Sequence, residues 1–176
     1  IGGIANGTYL KKDEVAIASD VGPGNCLLDA TMRNFNLGKF DSDGLMASKG
    51  NVDNILLEKL LNEIDFLTYP RADDLSLYLN LMETYKKFLA EKNPEDALCT
   101  FVELTVRKIE EYFNFCGTPA KVIFHGGGTE NKYLMRRIKE TIKTEISTID
   151  SLISSKYVES AAFAYLAFKE RAVLFR

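Results

Sequence analysis

The stretch VAIASDVGPGNCLLDATMRNF, residues 15 to 35, changes in its middle from a strand-like to a helix-like pattern. An apolar run leads to Asp20, a glycine-proline-glycine turn follows, and residues that suit a helix begin at Cys26. This succession predicts a strand-to-helix corner. Asp20 stands just before the turn, where a carboxylate either caps the N–H groups of the turn or faces a cleft as a general base.

The flanking segments predict how the corner is built into a domain. Residues 1 to 10 and 14 to 21 indicate two paired strands with a turn at residues 11 to 13. The order of elements then predicts an α/β domain, with helices packed on a mixed sheet. Alanines in the last helix suit close packing against a neighbour. Helices are predicted at residues 26–35, 52–61, 75–89, 95–115, 131–143 and 158–168, and short strands at 121–124 and 144–149.

Composition restricts the function classes. The 176 residues are 46% hydrophobic, enough for a buried core, and predict a single domain over residues 1–176. A net charge of -3, from 22 basic and 25 acidic residues spread along the chain, argues against nucleic acid or a membrane as partner. No apolar run approaches the roughly 20 residues of a membrane-spanning helix. Three scattered cysteines without a CxxC pair indicate neither disulfides nor zinc, so a soluble, cytoplasmic protein is expected.

Two further glycine-rich stretches suggest a ligand. In IGGIANGTYL, residues 1 to 10, glycines inside a predicted strand mark either a bulge or a close backbone approach. In VIFHGGGTEN, residues 122 to 131, consecutive glycines form either a plain turn or a bare backbone that admits a nucleotide. Neither a P-loop nor a GxGxxG fingerprint is present. The single histidine, His125, cannot form a multi-histidine metal site, and no metal ligands are predicted.

Six stretches occur in an order that is more specific than any one of them: IGGIANGTYL, DVGPGNCLLDA, FDSDG, EDALCTFVELT, FHGGGTENKYLMRRI and YVESAAFAYLAF. Together they resemble the C-terminal half of the anhydro-N-acetylmuramic acid kinase family, over nearly the whole chain. The resemblance implies a ribonuclease-H-like domain of the sugar-kinase, Hsp70 and actin superfamily, the second of two lobes that close over ATP and sugar.

The resemblance also implies an activity. Enzymes of this family hydrolyse the 1,6-anhydro bond of anhydro-N-acetylmuramic acid and phosphorylate the freed 6-hydroxyl, with ATP and Mg²⁺, in cell-wall recycling. The first lobe and its Asp-Gly-Thr-Ser run have no counterpart here. We therefore expect a piece of a longer protein, inactive alone, whose partner is the missing N-terminal lobe; a homodimer stays open.

The resemblance assigns roles by position. Asp20 matches the base that activates water in the family's D-x-G-P-G-N motif. The remaining assignments are a phosphate-contacting set of Gly2, Gly3, Asn6 and Thr8, an adenosine-side set of Gly126, Gly127, Gly128 and Asn131, and a sugar-side set of Asn25, Asp29 and Glu159.

The chain also departs from the family pattern. Residues Pro70 to Asp74 stand where the family has Pro-Lys-Ser-Thr-Gly-Arg-Glu, and His125 replaces a cysteine. One alternative is a non-catalytic nucleotide-binding or interaction module that retained the fold. Another is a different enzyme of the superfamily, such as an acyl-phosphate kinase, although GPGN and EDALCTFVELT argue against it.

Overall fold

The computed structural model describes residues 1–12, 14–64 and 68–169, so Asp13 of the predicted hairpin turn lies outside the described residues. None of the described helices is long and apolar enough to cross a membrane. The strands are β1 (Ile4–Lys11), β2 (Glu14–Pro23), β3 (Lys121–Phe124) and β4 (Glu145–Thr148). The helices are α1 (Cys26–Asn34), α2 (Asn54–Ile64), α3 (Leu75–Thr84), α4 (Lys86–Ala90), α5 (Pro94–Cys116), α6 (Lys132–Thr141) and α7 (Val158–Phe168).

Helix α5 is the centre of the core. Asn93 caps its start by accepting a hydrogen bond from the Glu95 N–H at 3.1 Å, and Gly117 ends it in the left-handed conformation. Most of its residues are buried, because β2, α1, α2 and α6 all pack against it. The predicted helix at residues 95–115 is confirmed, and its apolar stripe is the surface on which the domain assembles.

The strands form two separate two-stranded sheets in the described part of the chain. β1 and β2 pair antiparallel, as the predicted hairpin requires, whereas β3 and β4 pair parallel around α6. The prediction of one mixed sheet is therefore wrong for these residues. A groove of about 610 Å³ lies between β1 and β3, and Tyr112 and Phe113 of α5 are among the residues that line it.

Two helices differ from their predicted form. The predicted helix at residues 75–89 is divided into α3 and α4 at Tyr85, which has non-helical backbone angles. Helix α7 has the predicted bounds, but none of its described side chains is buried. The expected close packing of its alanines against a neighbour is therefore wrong within the described structure.

Close backbone approaches explain the glycines of the corner between β2 and α1. A Cβ atom at Gly22 would lie 2.9 Å from the Cβ of Lys108 on α5. A Cβ atom at Gly24 would lie 2.4 Å from the carbonyl oxygen of Gly2, and the Gly24 N–H donates to the Gly3 carbonyl at 2.9 Å. The two glycines let the turn lie against both α5 and the start of the chain.

We predict that Gly24→Ala lowers the free energy of unfolding by about 1–3 kcal/mol, because the new methyl group overlaps the Gly2 carbonyl. Gly127→Ala is the matched control, since its Cβ atom would have no neighbour closer than 3.9 Å. Urea denaturation of both variants measures the difference. Equal stability of the two would contradict the close approach at Gly24.

Candidate functional site

A polar cavity of about 280 Å³ lies where the start of α1, the loop before α2 and the turn before α6 meet. It brings together four of the residues that the sequence analysis assigned to ligands, from two separate sets. Asn25 and Asp29 come from the sugar-side set, and Gly127 and Asn131 from the adenosine-side set. The full lining is Asn25, Leu28, Asp29, Phe40, Asp41, Ser42, Asp43, Gly127, Glu130 and Asn131.

Asn25 is positioned by a contact with the residues that precede β1. Its N–H donates to the Gly2 carbonyl at 2.8 Å, while its side chain makes no capping hydrogen bond at the start of α1. The amide nitrogen of that side chain lies 3.9 Å from the point where a Cβ atom of Gly127 would stand. A side chain that usually caps the helix is thus directed across the cavity mouth instead.

The three consecutive glycines have different structural causes. Gly126 has φ +89°, and a Cβ atom there would lie 2.6 Å from the Ile1 carbonyl oxygen. A Cβ atom at Gly128 would lie 2.5 Å from the Ile1 side chain. Gly127 is exposed, and the nearest described atom to a Cβ atom there would be the Asn25 side-chain nitrogen at 3.9 Å. Packing against Ile1 accounts for the outer two glycines, so Gly127 alone presents bare backbone to the cavity.

Gly2 and Gly3 serve the corner through their carbonyl groups. Gly3 accepts the N–H groups of Gly24 and Cys26, at 2.9 and 3.1 Å. With the bond from Asn25 to Gly2, these contacts satisfy amides that would otherwise be open at the start of α1. The contact of Gly2 and Gly3 with a nucleotide stays a prediction, and their observed contacts are within the fold.

Asn6 and Thr8 lie elsewhere. Both line the larger groove between β1 and β3, together with apolar residues such as Ile109 and Val122. They do not line the polar cavity. The structure therefore places Asn6 and Thr8 apart from Gly127 and Asn131 of the predicted adenosine-side set.

The aspartate carboxylates that line the polar cavity differ in their hydrogen-bond and ion-pair partners. Asp41 is buried and accepts the N–H groups of Met46 and Ala47, both at 2.9 Å, so it closes its own loop. Asp43 pairs with Lys132 at 3.1 Å. The carboxylate of Asp29 makes no hydrogen bond or ion pair with a described residue, and burial raises the pKa of this carboxyl while the charge of Arg33 opposes this. Both carboxylate oxygens of Asp29 are therefore open to a ligand.

Asn131, the other polar side chain of the adenosine-side set, already has a structural partner. Its side-chain oxygen accepts the N–H of Leu134 at 2.9 Å and caps α6. The side-chain oxygen also packs closely on Gly44, whose Cβ atom would lie 2.2 Å away. Asn131 therefore holds the turn before α6 against the loop that carries Asp43.

Asp20 does not cap the turn that follows it. Its side-chain oxygen Oδ2 accepts the N–H of Asp73 at 2.7 Å, and its own N–H donates to the Arg71 carbonyl at 2.9 Å. The half-buried carboxylate therefore binds a segment more than fifty residues further along the chain. It does not line the polar cavity.

Glu159 is exposed in the first turn of α7. Burial lowers the pKa of His125 from its ordinary value, and the charge of Glu159 raises it in part. Glu159 is thus near the end of β3 but is not among the residues of the polar cavity.

Among the residues that the structure describes, no group of three or more acidic, histidine or cysteine side chains could hold a metal ion.

The sequence analysis missed the segment at residues 71–73. Arg71 and Asp73 form an ion pair with 4% and 1% of their side chains exposed, and Tyr78 donates a hydrogen bond to Asp73. The sequence signal was the departure from the family motif at these positions. The structure adds that Asp73, one of the residues that stand in place of the family motif, donates its N–H to Asp20.

Comparison with known proteins gives consistent results. A family model described as anhydro-N-acetylmuramic acid kinase matches residues 1–174. A curated protein of that name from Gamma-proteobacterium EBAC31A08 is 37% identical over an aligned length of 172 residues, and the alignment covers 96% of this chain and 47% of the relative. One from Haemophilus influenzae is 36% identical over an aligned length of 185 residues, and that alignment covers 96% of this chain and 48% of the relative. The chain thus spans about half the length of the curated relatives it matches.

We predict that Asp29 makes the protein less stable as the pH rises. Its pKa is raised in the folded state, so the folded protein binds this proton more tightly than the unfolded chain. The free energy of unfolding should therefore fall from about pH 4, the ordinary range of an aspartate, up through the folded pKa. Asp29→Asn should remove this decrease in thermal denaturation measured between pH 3 and 8.

Asp74 provides a control of opposite sign. Its pKa is lowered by the hydrogen bonds from Ser76, so it stabilises the fold above its ordinary pKa and loses that effect as the pH falls through its folded pKa. Asp74→Asn should remove a gain of stability with rising pH. The same pH profile in Asp29→Asn and in the unmodified chain would show that Asp29 is not desolvated in the cavity.

Proposed function

The chain belongs to the anhydro-N-acetylmuramic acid kinase family, and we propose on that premise that it is one half of an ATP-dependent kinase of 1,6-anhydro-N-acetylmuramic acid. The observation that carries the proposal is the family match over residues 1–174, supported by relatives of that name at 36–37% identity. The reaction would open the anhydro bond with water and transfer a phosphoryl group to the 6-oxygen. A role in peptidoglycan recycling in the cytoplasm, where ATP is available, follows from this activity.

The architecture supports assignment of the chain to the second lobe of a two-lobed kinase. It combines an antiparallel hairpin with a parallel β3–α6–β4 unit, both packed on α5, within one ribonuclease-H-like domain by our proposal. The polar cavity, at about 280 Å³, is slightly smaller than typical ligand pockets of ~300–1,000 Å³. A cavity of this size fits one wall of a site that a first lobe completes.

Asp20 is the general base of the proposed reaction. It would take a proton from a water molecule while the water oxygen bonds to the anomeric carbon and the bond from that carbon to the 6-oxygen breaks. The released 6-oxygen would then bond to the γ-phosphorus of ATP, and ADP would leave. Support comes from the position of the carboxylate, which is half-buried and accepts a single described hydrogen bond, on Oδ2. Oδ1 remains for the proton.

The polar cavity would hold parts of both ligands. The bare backbone of Gly127 would receive the nucleotide, and Asn25 and Asp29 would bind sugar hydroxyls through an amide and a carboxylate. Mg²⁺ usually takes one or two protein carboxylates plus substrate phosphates, and Asp29 and Asp43 supply two carboxylates in the lining of the cavity. Bound there, the ion would neutralise charge on the phosphates.

Phosphoryl transfer depends on groups that converge on the phosphates from both sides. The proposed site offers one side, so we propose that the 176-residue chain has negligible kinase activity by itself. The test is release of ADP from ATP and 1,6-anhydro-N-acetylmuramic acid, by the chain and by the full-length gene product. Turnover by the full-length product with the anhydro sugar supports the proposal; ATP binding without turnover would favour a non-catalytic module.

We predict that Gly127→Val weakens ATP binding at least tenfold without unfolding the protein. The side chain would enter open space facing Asn25 and occupy the position proposed for the nucleotide. Isothermal titration of the full-length product with ATP measures the loss, and Ala90→Val, at an exposed position of α4, is the control. Unchanged affinity in a folded Gly127→Val variant would remove Gly127 from the nucleotide site.

We predict that Asp20→Asn lowers kcat by roughly two to four orders of magnitude. Asparagine keeps the shape and an oxygen that can accept the Asp73 N–H, but it cannot take the proton from water. ATP affinity and melting temperature should stay close to those of the unmodified full-length product. Near-normal turnover in the variant would exclude Asp20 as the base.

A further inference from the structure

The backbone at residues 71–73 lies beside Ser19 and Asp20, near the end of β2. The Arg71 N–H donates to the Ser19 hydroxyl at 2.8 Å, and the Arg71 carbonyl accepts the Asp20 N–H at 2.9 Å. The Asp73 N–H then donates to Oδ2 of Asp20 at 2.7 Å. No other described residue donates to this carboxylate. Among the described residues, one backbone amide therefore restrains Oδ2 of Asp20.

Buried side chains hold this segment in place. Arg71 Nη2 lies 3.2 Å from Asp73 Oδ2 and also donates to the Val21 carbonyl at 2.7 Å, which ties the segment to β2. The hydroxyl of Tyr78, on α3, donates to the same Asp73 oxygen. We call Arg71, Asp73 and Tyr78 the clamp cluster. It joins β2, the segment and α3 through groups that are almost fully buried.

The cluster is costly as a purely structural device. Desolvation of a buried ion pair often offsets its attraction, and hydrophobic residues of similar volume stabilise a fold as well or better. Here Asp73 Oδ1 is buried and accepts no hydrogen bond from the described residues. Burial and the neighbouring Asp73 carboxylate raise the pKa of Tyr78, so its hydroxyl remains a donor to Asp73. The presence of these buried polar groups is explained if they hold the Asp73 amide in one orientation.

We propose that the clamp cluster is a positioning device for Asp20, in which the Asp73 N–H fixes Oδ2 and leaves Oδ1 as the oxygen that receives the proton of the attacking water. The inference rests on the proposed function only for the role of the base. Arg71, Asp73 and Tyr78 are positioning residues, because Arg71 and Asp73 are too deeply buried to touch a substrate. Their effect should therefore fall on kcat and not on KM.

A spectroscopic test addresses the contact without any kinase activity. In ¹⁵N-labelled chain, the amide proton of Asp73 should move upfield as acid protonates the carboxylate that accepts it. This transition should be absent in Asp20→Asn, whereas any transition caused by the carboxyl of Asp73 itself would persist. An Asp73 amide whose titration is the same in both proteins would overturn the clamp.

A kinetic test addresses whether the clamp cluster positions Asp20 for the reaction. Tyr78→Phe keeps the buried ring and removes the hydroxyl that holds Asp73, and it should lower kcat about tenfold with KM for both substrates unchanged. Tyr85→Phe is the matched control, because the Tyr85 hydroxyl makes a 3.4 Å hydrogen bond to Glu63 at the surface. Its kcat should equal that of the unmodified full-length product.

The outcomes separate the two proposals. If the unmodified full-length product does not phosphorylate the anhydro sugar, the proposed function fails, and the amide titration still decides whether the clamp exists. If that product is active and Tyr78→Phe lowers only the melting temperature, the cluster is structural and the positioning role is overturned. A parallel change of KM would also overturn it, because a positioning residue for the base does not contribute to substrate binding.

Discussion

The backbone contact between the start of the chain and the GPGN corner is the constraint on which the candidate site depends. Gly24 approaches the Gly2 carbonyl so closely that no side chain fits between them. The same few residues at the start of the chain accept the first amides of α1 and receive the turn that contains Gly126 and Gly128. Three glycine-rich stretches that are far apart in the sequence are thus parts of one packing arrangement.

Local patterns predicted the helices well, because their causes lie within a few residues of one another. Asn93 and Gly117 mark the ends of α5 by capping, and its apolar stripe marks the buried face. The sheet arrangement was beyond such reasoning. Which strands pair depends on contacts between distant segments, and the alternation within β1 or β3 does not show that a groove lies between them.

The candidate site was predictable to the extent that it is built near glycine turns. Asn25, Asp29 and Gly127 were assigned by resemblance and by bare backbone, and they do meet in one cavity. The partner of Asp20 was not predictable, because a backbone amide donates to it and any residue other than proline supplies one. Residues 70–74 depart from the family motif, and the sequence alone did not indicate that Arg71 and Asp73 of this segment contact Asp20.

Helix α7 adds a dynamic consequence. None of its eleven side chains is buried in the part of the chain that the structure describes, so its stability comes mainly from local hydrogen bonds. An isolated helix shorter than about 12–15 residues is marginal in water. In this chain α7 should therefore exchange between helix and coil, and its amides should show little protection from hydrogen exchange. Glu159 would occupy its helical position for only part of the time, until another surface packs on α7.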